Sequence, residues 1–220
     1  MTLADVNGLT LPIGLLLPPI CPVCHHRVSN RELEGGRPCR DCLRTLGEAP
    51  LGTGSPPEGI DWVVSAFRHE GVGRRALNAF KFERRTGMAG PLVDLLYARL
   101  GTMRTILEGI LVPVPPSPLG RRFRGFDPAA LIAEELASRL DPERPVSDLL
   151  KRSRTGRQRG RNRQTRLGGA NRFQVRGELE GPVLLVDDVL TTGATLSACA
   201  RVVRLAGGGP IGAVTITRRA

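Results

Sequence analysis

The residues most able to do chemistry lie together near the C-terminus: Asp187 and Asp188, then Thr191, Thr192, Gly193, Ala194 and Thr195. Two carboxylates followed by a hydroxyl-rich turn around one glycine suit a phosphorylated sugar. Gly193 reaches backbone angles closed to other residues, so successive N–H groups can turn toward one phosphate. Threonine hydroxyls add donors, and a helix starting there adds its partial positive charge. Asp187 and Asp188 then face the ribose hydroxyls, directly or through magnesium, which prefers oxygen ligands. A structural reading competes with this one: a buried strand with two solvated acids at its tip.

Two other site types begin with an apolar strand ending in acids. A nucleotide-hydrolysing site needs a Gly-x-x-x-x-Gly-Lys-Ser/Thr loop. The only lysines are Lys81 and Lys151, preceded by Phe80 and Leu150, so that loop is missing. A phosphorelay receiver needs an aspartate well downstream, and no acid follows Asp188.

A second constellation sits near the N-terminus. Cys21 and Cys24, then Cys39 and Cys42, form two Cys-x-x-Cys knuckles with fourteen residues between them. Thiolates at this spacing close a tetrahedral four-sulfur zinc site. Two disulfides are the alternative. No secretory leader is evident, because the apolar run from Leu11 to Leu17 is short, interrupted by Pro12 and preceded by no basic region. A reducing cytoplasmic setting is therefore expected, and there paired knuckles read as metal sites. His25 and His26 are expected to be solvated, and Cys199 to lie in the core.

The elements that position these groups follow from the apolar pattern. Val183 to Val186 reads as a strand buried on both faces, and Thr195 to Leu205 as a helix. Upstream, Trp62 to Phe67 is a strand, Gly71 to Phe82 a helix and Ala89 to Leu100 a second helix. Ile110 to Val114 is a strand, Pro128 to Leu140 a helix and Ser147 to Leu150 a short strand. A final strand lies near Ile211 to Thr217, after a Gly207-Gly208-Gly209 turn. Alternation of this kind predicts an α/β fold with a parallel sheet flanked by helices. Parallel sheets bind ligands at the carboxyl ends of their strands, which places the acid pair and Pro113-Val114-Pro115 side by side. Arg121, Arg122 and Arg124 then approach the same pocket. Residues 1–50 are read as the four-cysteine module, 51–60 as a Pro- and Gly-rich linker and 61–220 as the main domain. Neither an internal repeat nor an apolar run long enough to span a membrane is found.

Strand, acid pair and Thr-Thr-Gly-x-Thr turn resemble the phosphoribosyl pyrophosphate loop of type I phosphoribosyltransferases. With the preceding zinc knuckle, the layout resembles the ComF family of bacterial competence proteins. Three stretches extend the likeness. His69-Glu70-Gly71, running on to Lys81-Phe82, resembles the family's aromatic-Glu-Gly start and Lys-Phe helix end, with His69 in place of tyrosine. Pro113-Val114-Pro115 with Arg124-Gly125-Phe126-Asp127 resembles its Pro-Val-Pro strand end and Arg-Gly-Phe-Asn turn. Asp127 replaces the asparagine but can still cap a helix starting at Pro128. Arg154-Thr155 with Gln158 resembles an Arg-x-x-x-Gln pattern, and Asn171 is a loose counterpart of a family asparagine.

The resemblance implies a type I phosphoribosyltransferase-like sheet. It also implies that Asp187 and Asp188 contact the ribose 2′ and 3′ hydroxyls and that Thr191 to Thr195 wrap the 5′-phosphate. Phosphoribosyl pyrophosphate with magnesium is the implied ligand, Arg124 lies on its pyrophosphate side, and the N-terminal zinc is structural. Function then reads as DNA uptake in natural transformation, alongside other DNA-uptake proteins. The alternative is an active phosphoribosyltransferase that passes 5-phosphoribose to a nitrogenous base or amine. A ligand-sensing regulator ranks last, since no helix-turn-helix is evident.

Charge adds a partner. The 220 residues carry a formal net charge of +11, and every basic residue except Lys81 and Lys151 is arginine. Between Lys151 and Arg176 ten cations occur without one acid, among them Arg154, Arg157, Arg159, Arg161, Arg163 and Arg166. A run of this kind repels itself unless an anion neutralises it. It reads either as a solvated loop closing over a small substrate or as an arm for single-stranded DNA. A single sugar pyrophosphate carries too little charge to need ten cations, which favours the arm. Phe173 at its edge is expected to begin a strand with Val175.

Overall fold

The computed structural model describes residues 3–6, 9–12, 19–29, 36–101, 109–153 and 172–219. Four parallel strands form the central sheet: β3 (Trp62–Arg68), β4 (Ile110–Pro113), β7 (Val183–Leu190) and β8 (Ile211–Arg218), in the order β3-β8-β7-β4. Val146 adds one parallel bridge to Leu111 at the β4 edge. A hairpin of β1 (Leu3–Val6) and β2 (Leu9–Pro12) forms a separate two-stranded sheet, as does an antiparallel pair of β5 (Leu150–Arg152) and β6 (Phe173–Val175).

The continuous apolar run of β7 is explained by coverage on both sides. Successive strand residues point to opposite faces. Leu184 and Val186 join a core containing Phe80 of α2 (Gly71–Phe82), Leu92 and Leu96 of α3 (Ala89–Leu100), and Ile132 and Leu136 of α5 (Pro128–Leu140). Val183 and Leu185 face a second core with Leu196, Cys199 and Val203 of α6 (Ala194–Leu205), and with Leu150 and Phe173 of the β5–β6 pair. The fold is thus α/β, a mostly parallel sheet flanked by helices. Among the described residues no helix is long and apolar enough to cross a membrane.

The cysteine segment is built into the first core. Cys21, Val23, Cys42 and Leu46, the last two on α1 (Arg40–Glu48), share one apolar cluster with Phe67, Phe80 and Leu92. The segment 51–60 passes the carboxyl end of β8, where the Arg218 guanidinium donates to the carbonyls of Gly54 (3.0 Å) and Ser55 (2.6 Å).

Two expectations need correction. β7 does not end at the acids; it runs through Asp187 and Asp188 to Leu190, because pairing with β8 (Asp187 with Thr215, Leu190 with Arg218) continues the ladder. Ser147 to Leu150 is not a strand: Ser147 only donates its N–H to Leu111, and the regular pairing starts at Leu150, antiparallel to β6. Phe173 does begin a strand, buried as its first residue. The six arginines from Arg154 to Arg166 assigned to nucleic acid lie outside the described residues.

Candidate functional site

At the carboxyl ends of β4 and β7 a cleft of about 200 Å³ opens between β7, the Pro115–Ser117 turn and the start of α5. Asp187, Asp188, Thr191, Thr195 and Arg124 line it together; Thr192 and Gly193 complete the turn between β7 and α6, and Ala194 opens α6.

The two acids differ because neighbours on a strand face opposite ways. Asp188 points toward α2, where its Oδ2 lies 2.8 Å from Lys81 Nζ, with side-chain exposures of 9% and 13%. Asp187 accepts the N–H of Asp188 on its Oδ1 (2.8 Å). Burial, and then the Asp188 carboxylate, push its pKa well above the ordinary carboxylate range. The pair therefore combines a carboxylate neutralised by an ammonium with a carboxyl that favours its protonated form. Such a combination both accepts from and donates to vicinal hydroxyls. It is not a ready cage for magnesium, which demands octahedral oxygen ligands, since Lys81 already occupies Asp188.

The turn is set by Gly193, whose φ of +76° and ψ of −9° lie in the left-handed region. An added Cβ would also stand 2.7 Å from Pro57 Cβ, so glycine is required twice over. α6 begins immediately, with Ser197 N–H bonded to Gly193 O at 2.9 Å. Thr191 and Thr195 thus lie beside a twelve-residue helix's N-terminus, the arrangement that favours a phosphate.

The opposite wall is cationic. Arg124 closes α4 (Pro118–Arg124), a short helix capped by Ser117, whose Oγ accepts Gly120 N–H at 3.0 Å. Its Nε is buried and has no hydrogen-bond partner. Arg152 also lines the cleft, oriented by donation from Nε to Pro115 O (3.0 Å) and by its guanidinium carbon 4.7 Å from the Phe173 ring centroid. Asp127 caps α5 as expected, accepting the N–H groups of Ala129 (3.1 Å) and Ala130 (3.2 Å). Burial outweighs those bonds and raises its pKa. Lys81 and Arg152 were not singled out for this site from the sequence. Lys81 had one available signal, as one of two lysines in an arginine-rich chain; Arg152 had none beyond its place in the basic run.

The four-cysteine cluster is a separate centre. The sulfurs of Cys21, Cys24, Cys39 and Cys42 all lie within 4.8 Å of one another, with Cys21–Cys42 and Cys24–Cys39 each at 3.8 Å. Tetrahedral sulfurs at the usual zinc distance stand about 3.8 Å apart, whereas a disulfide requires about 2.05 Å. The cluster has metal-site geometry, and disulfides are not what the structure contains. Burial opposes ionisation of Cys21, but N–H groups of Cys39, Cys24 and Val23 outweigh it and bring the thiol to about 7. Burial and the neighbouring sulfurs drive Cys42 the other way. Four thiolates so close need a cation, and zinc suits them. His25 and His26 are exposed beside the knuckle, and Cys199 is buried in α6.

Comparison with protein-family models finds no match, and neither does comparison with curated proteins.

Proposed function

We propose that this chain is a ComF-like protein on a phosphoribosyltransferase-like fold. It binds the 5-phosphoribosyl group, as phosphoribosyl pyrophosphate or a 5′-phosphorylated relative, and handles single-stranded DNA during DNA uptake in the cytoplasm. The carrying observation is the convergence on one cleft of a strand-borne acid pair, a hydroxyl- and glycine-containing turn at a helix N-terminus, and Arg124 with Arg152 opposite. In this reading Thr191, Thr195 and the turn amides receive the 5′-phosphate, and Asp187 and Asp188 engage the ribose hydroxyls. Arg124 Nε, buried and unpartnered, meets the diphosphate side. Magnesium arrives on the diphosphate, and zinc at the four cysteines is structural. The basic run through Arg154, Arg157, Arg159, Arg161, Arg163 and Arg166 supplies charge for the DNA strand.

The test is calorimetric titration with ribose 5-phosphate and with magnesium phosphoribosyl pyrophosphate. Wild-type protein should bind both, and Thr191→Val with Thr195→Val should weaken both by about tenfold, the loss of one to two charge-assisted hydrogen bonds. Absence of binding to either ligand overturns the reading. Pyrophosphate release on adding a base would move the assignment to active transfer.

A further inference from the structure

α4 contains no buried residue, which is unusual for a helix beside a ligand cleft. Leu119 and Phe123, four positions apart and so on one face, are 68% and 73% exposed. Arg84 stands against them in the left-handed backbone region (φ +55°), and its guanidinium donates to Phe123 O at 2.6 Å. Arg84, Leu119, Arg122 and Phe123 together line a shallow hollow of about 380 Å³. Pro118 to Gly125 includes no acid. Among the described residues no salt bridge engages Arg84, Arg121 or Arg122.

This surface combines a flat aromatic side chain, an aliphatic neighbour and guanidinium groups that enter no salt bridge among the described residues. A second copy of the chain is a poor match. A two-fold contact apposes the same patch to itself, setting Arg84 and Arg122 against their own copies, and like charges across an interface are costly. Duplex DNA satisfies the charge but keeps its bases stacked away from Phe123. Single-stranded nucleic acid satisfies both requirements, with phosphates for the guanidiniums and unstacked bases for the ring. The same helix carries Arg124 into the cleft, so the two surfaces adjoin.

We infer that the outer face of α4, formed by Leu119 and Phe123 with Arg84 and Arg122, is a base-stacking contact for single-stranded nucleic acid. Within the proposed function, on which the choice of DNA rests, it grips a strand independently of the basic run downstream. Phe123 supplies the stack, Leu119 extends the apolar floor and Arg122 neutralises a phosphate.

The experiment measures fluorescence anisotropy of labelled oligothymidylate, an abasic strand of equal length and a duplex, on the full-length zinc-loaded protein across a salt series. Wild type should prefer oligothymidylate to both. Phe123→Ala should lose about tenfold in oligothymidylate affinity with an unchanged salt slope, because stacking is removed and charge is not. Phe123→Trp should restore binding and show quenching of its indole emission. Arg122→Ala should flatten the salt slope by about 0.7. Ribose 5-phosphate affinity should be the same in Phe123→Ala as in wild type, which separates this inference from the cleft reading. Equal oligothymidylate binding by Phe123→Ala and wild type overturns the inference, as does equal binding of the abasic strand or the duplex. It also fails if Phe123→Ala changes only self-association in sedimentation, which would make the face a contact between copies.

Discussion

Lys81→Met offers a direct measure of how the acid pair is held. Lys81 Nζ and Asp188 Oδ2 are 2.8 Å apart, with only 13% and 9% of their side chains exposed. At an effective dielectric of about 20 the gross attraction at that distance is about 6 kcal/mol, most of it offset by the cost of desolvating both ions. Removing the ammonium leaves that desolvation cost without its compensation. Breaking a buried pair from one side costs roughly 3–5 kcal/mol. Because this pair borders an open cleft, the lower value applies: about 3 kcal/mol. For a chain of this length that lowers Tm by roughly 6–12 °C. Methionine keeps the apolar stem's volume, so the packing of α2 is preserved. Adding Asp188→Asn to Lys81→Met removes the orphaned charge and should recover about 2 kcal/mol, giving a double-mutant cycle. Urea unfolding followed by circular dichroism, with a thermal scan beside it, reads both variants. The reasoning fails if Lys81→Met stays within about 0.5 kcal/mol of wild type. It fails equally if the double variant is no more stable than the single one.

Cys42→Ser should abolish stoichiometric zinc retention by atomic emission and destabilise the fold well beyond a surface substitution, because Cys42 belongs to the core cluster with Leu46 and Leu92; full zinc retention would refute the four-sulfur site. Asp187 has a folded pKa above its ordinary value of 3.8, so the native state holds the extra proton and stability falls as pH rises from 3.8 toward the raised value. Asp187→Asn should therefore be more stable than wild type at neutral pH, with the gain vanishing near pH 3 in pH-resolved urea titrations; equal stability of the two at neutral pH would refute this.

Helices that bury a regular face were legible in the sequence: α2, α3 and α5 lie where their apolar spacing put them, since Phe80, Leu96 and Leu136 fall on inward stripes. α4 was not, because it buries nothing and leaves no periodic trace. The cysteine cluster was legible because chelation is nearly local and its spacing is written into the chain. The end of β7 was misjudged for the opposite reason. Acids in a strand look like a terminus until the neighbouring strand is known. β8 brings buried hydroxyls there, with Thr215 Oγ1 2.7 Å from Ser65 Oγ and Thr217 Oγ1 2.9 Å from His69 Nδ1. The Lys81–Asp188 contact joins α2 to β7 across the sheet, and no local pattern announces such a pair. The α/β alternation was visible; the cleft cations Lys81 and Arg152 depended on tertiary packing.

The β5–β6 ladder has an architectural consequence. Its rungs pair Leu150 with Val175, Lys151 with Gln174 and Arg152 with Phe173, and Ser153 N–H reaches Arg172 O at 2.9 Å. The main chain on either side of residues 154–171 is thus held at one address, sealed by the buried side chains of Leu150 and Phe173. Lengthening an intervening segment closed at its base costs only in proportion to the logarithm of its length, about 0.6 kcal/mol per doubling. Insertions, deletions or exchanges of charge beyond that base can accumulate without disturbing the sheet's register. Arg152 stands on the last rung and also in the cleft wall, so whatever changes between the two strands, their root stays fastened to the cleft.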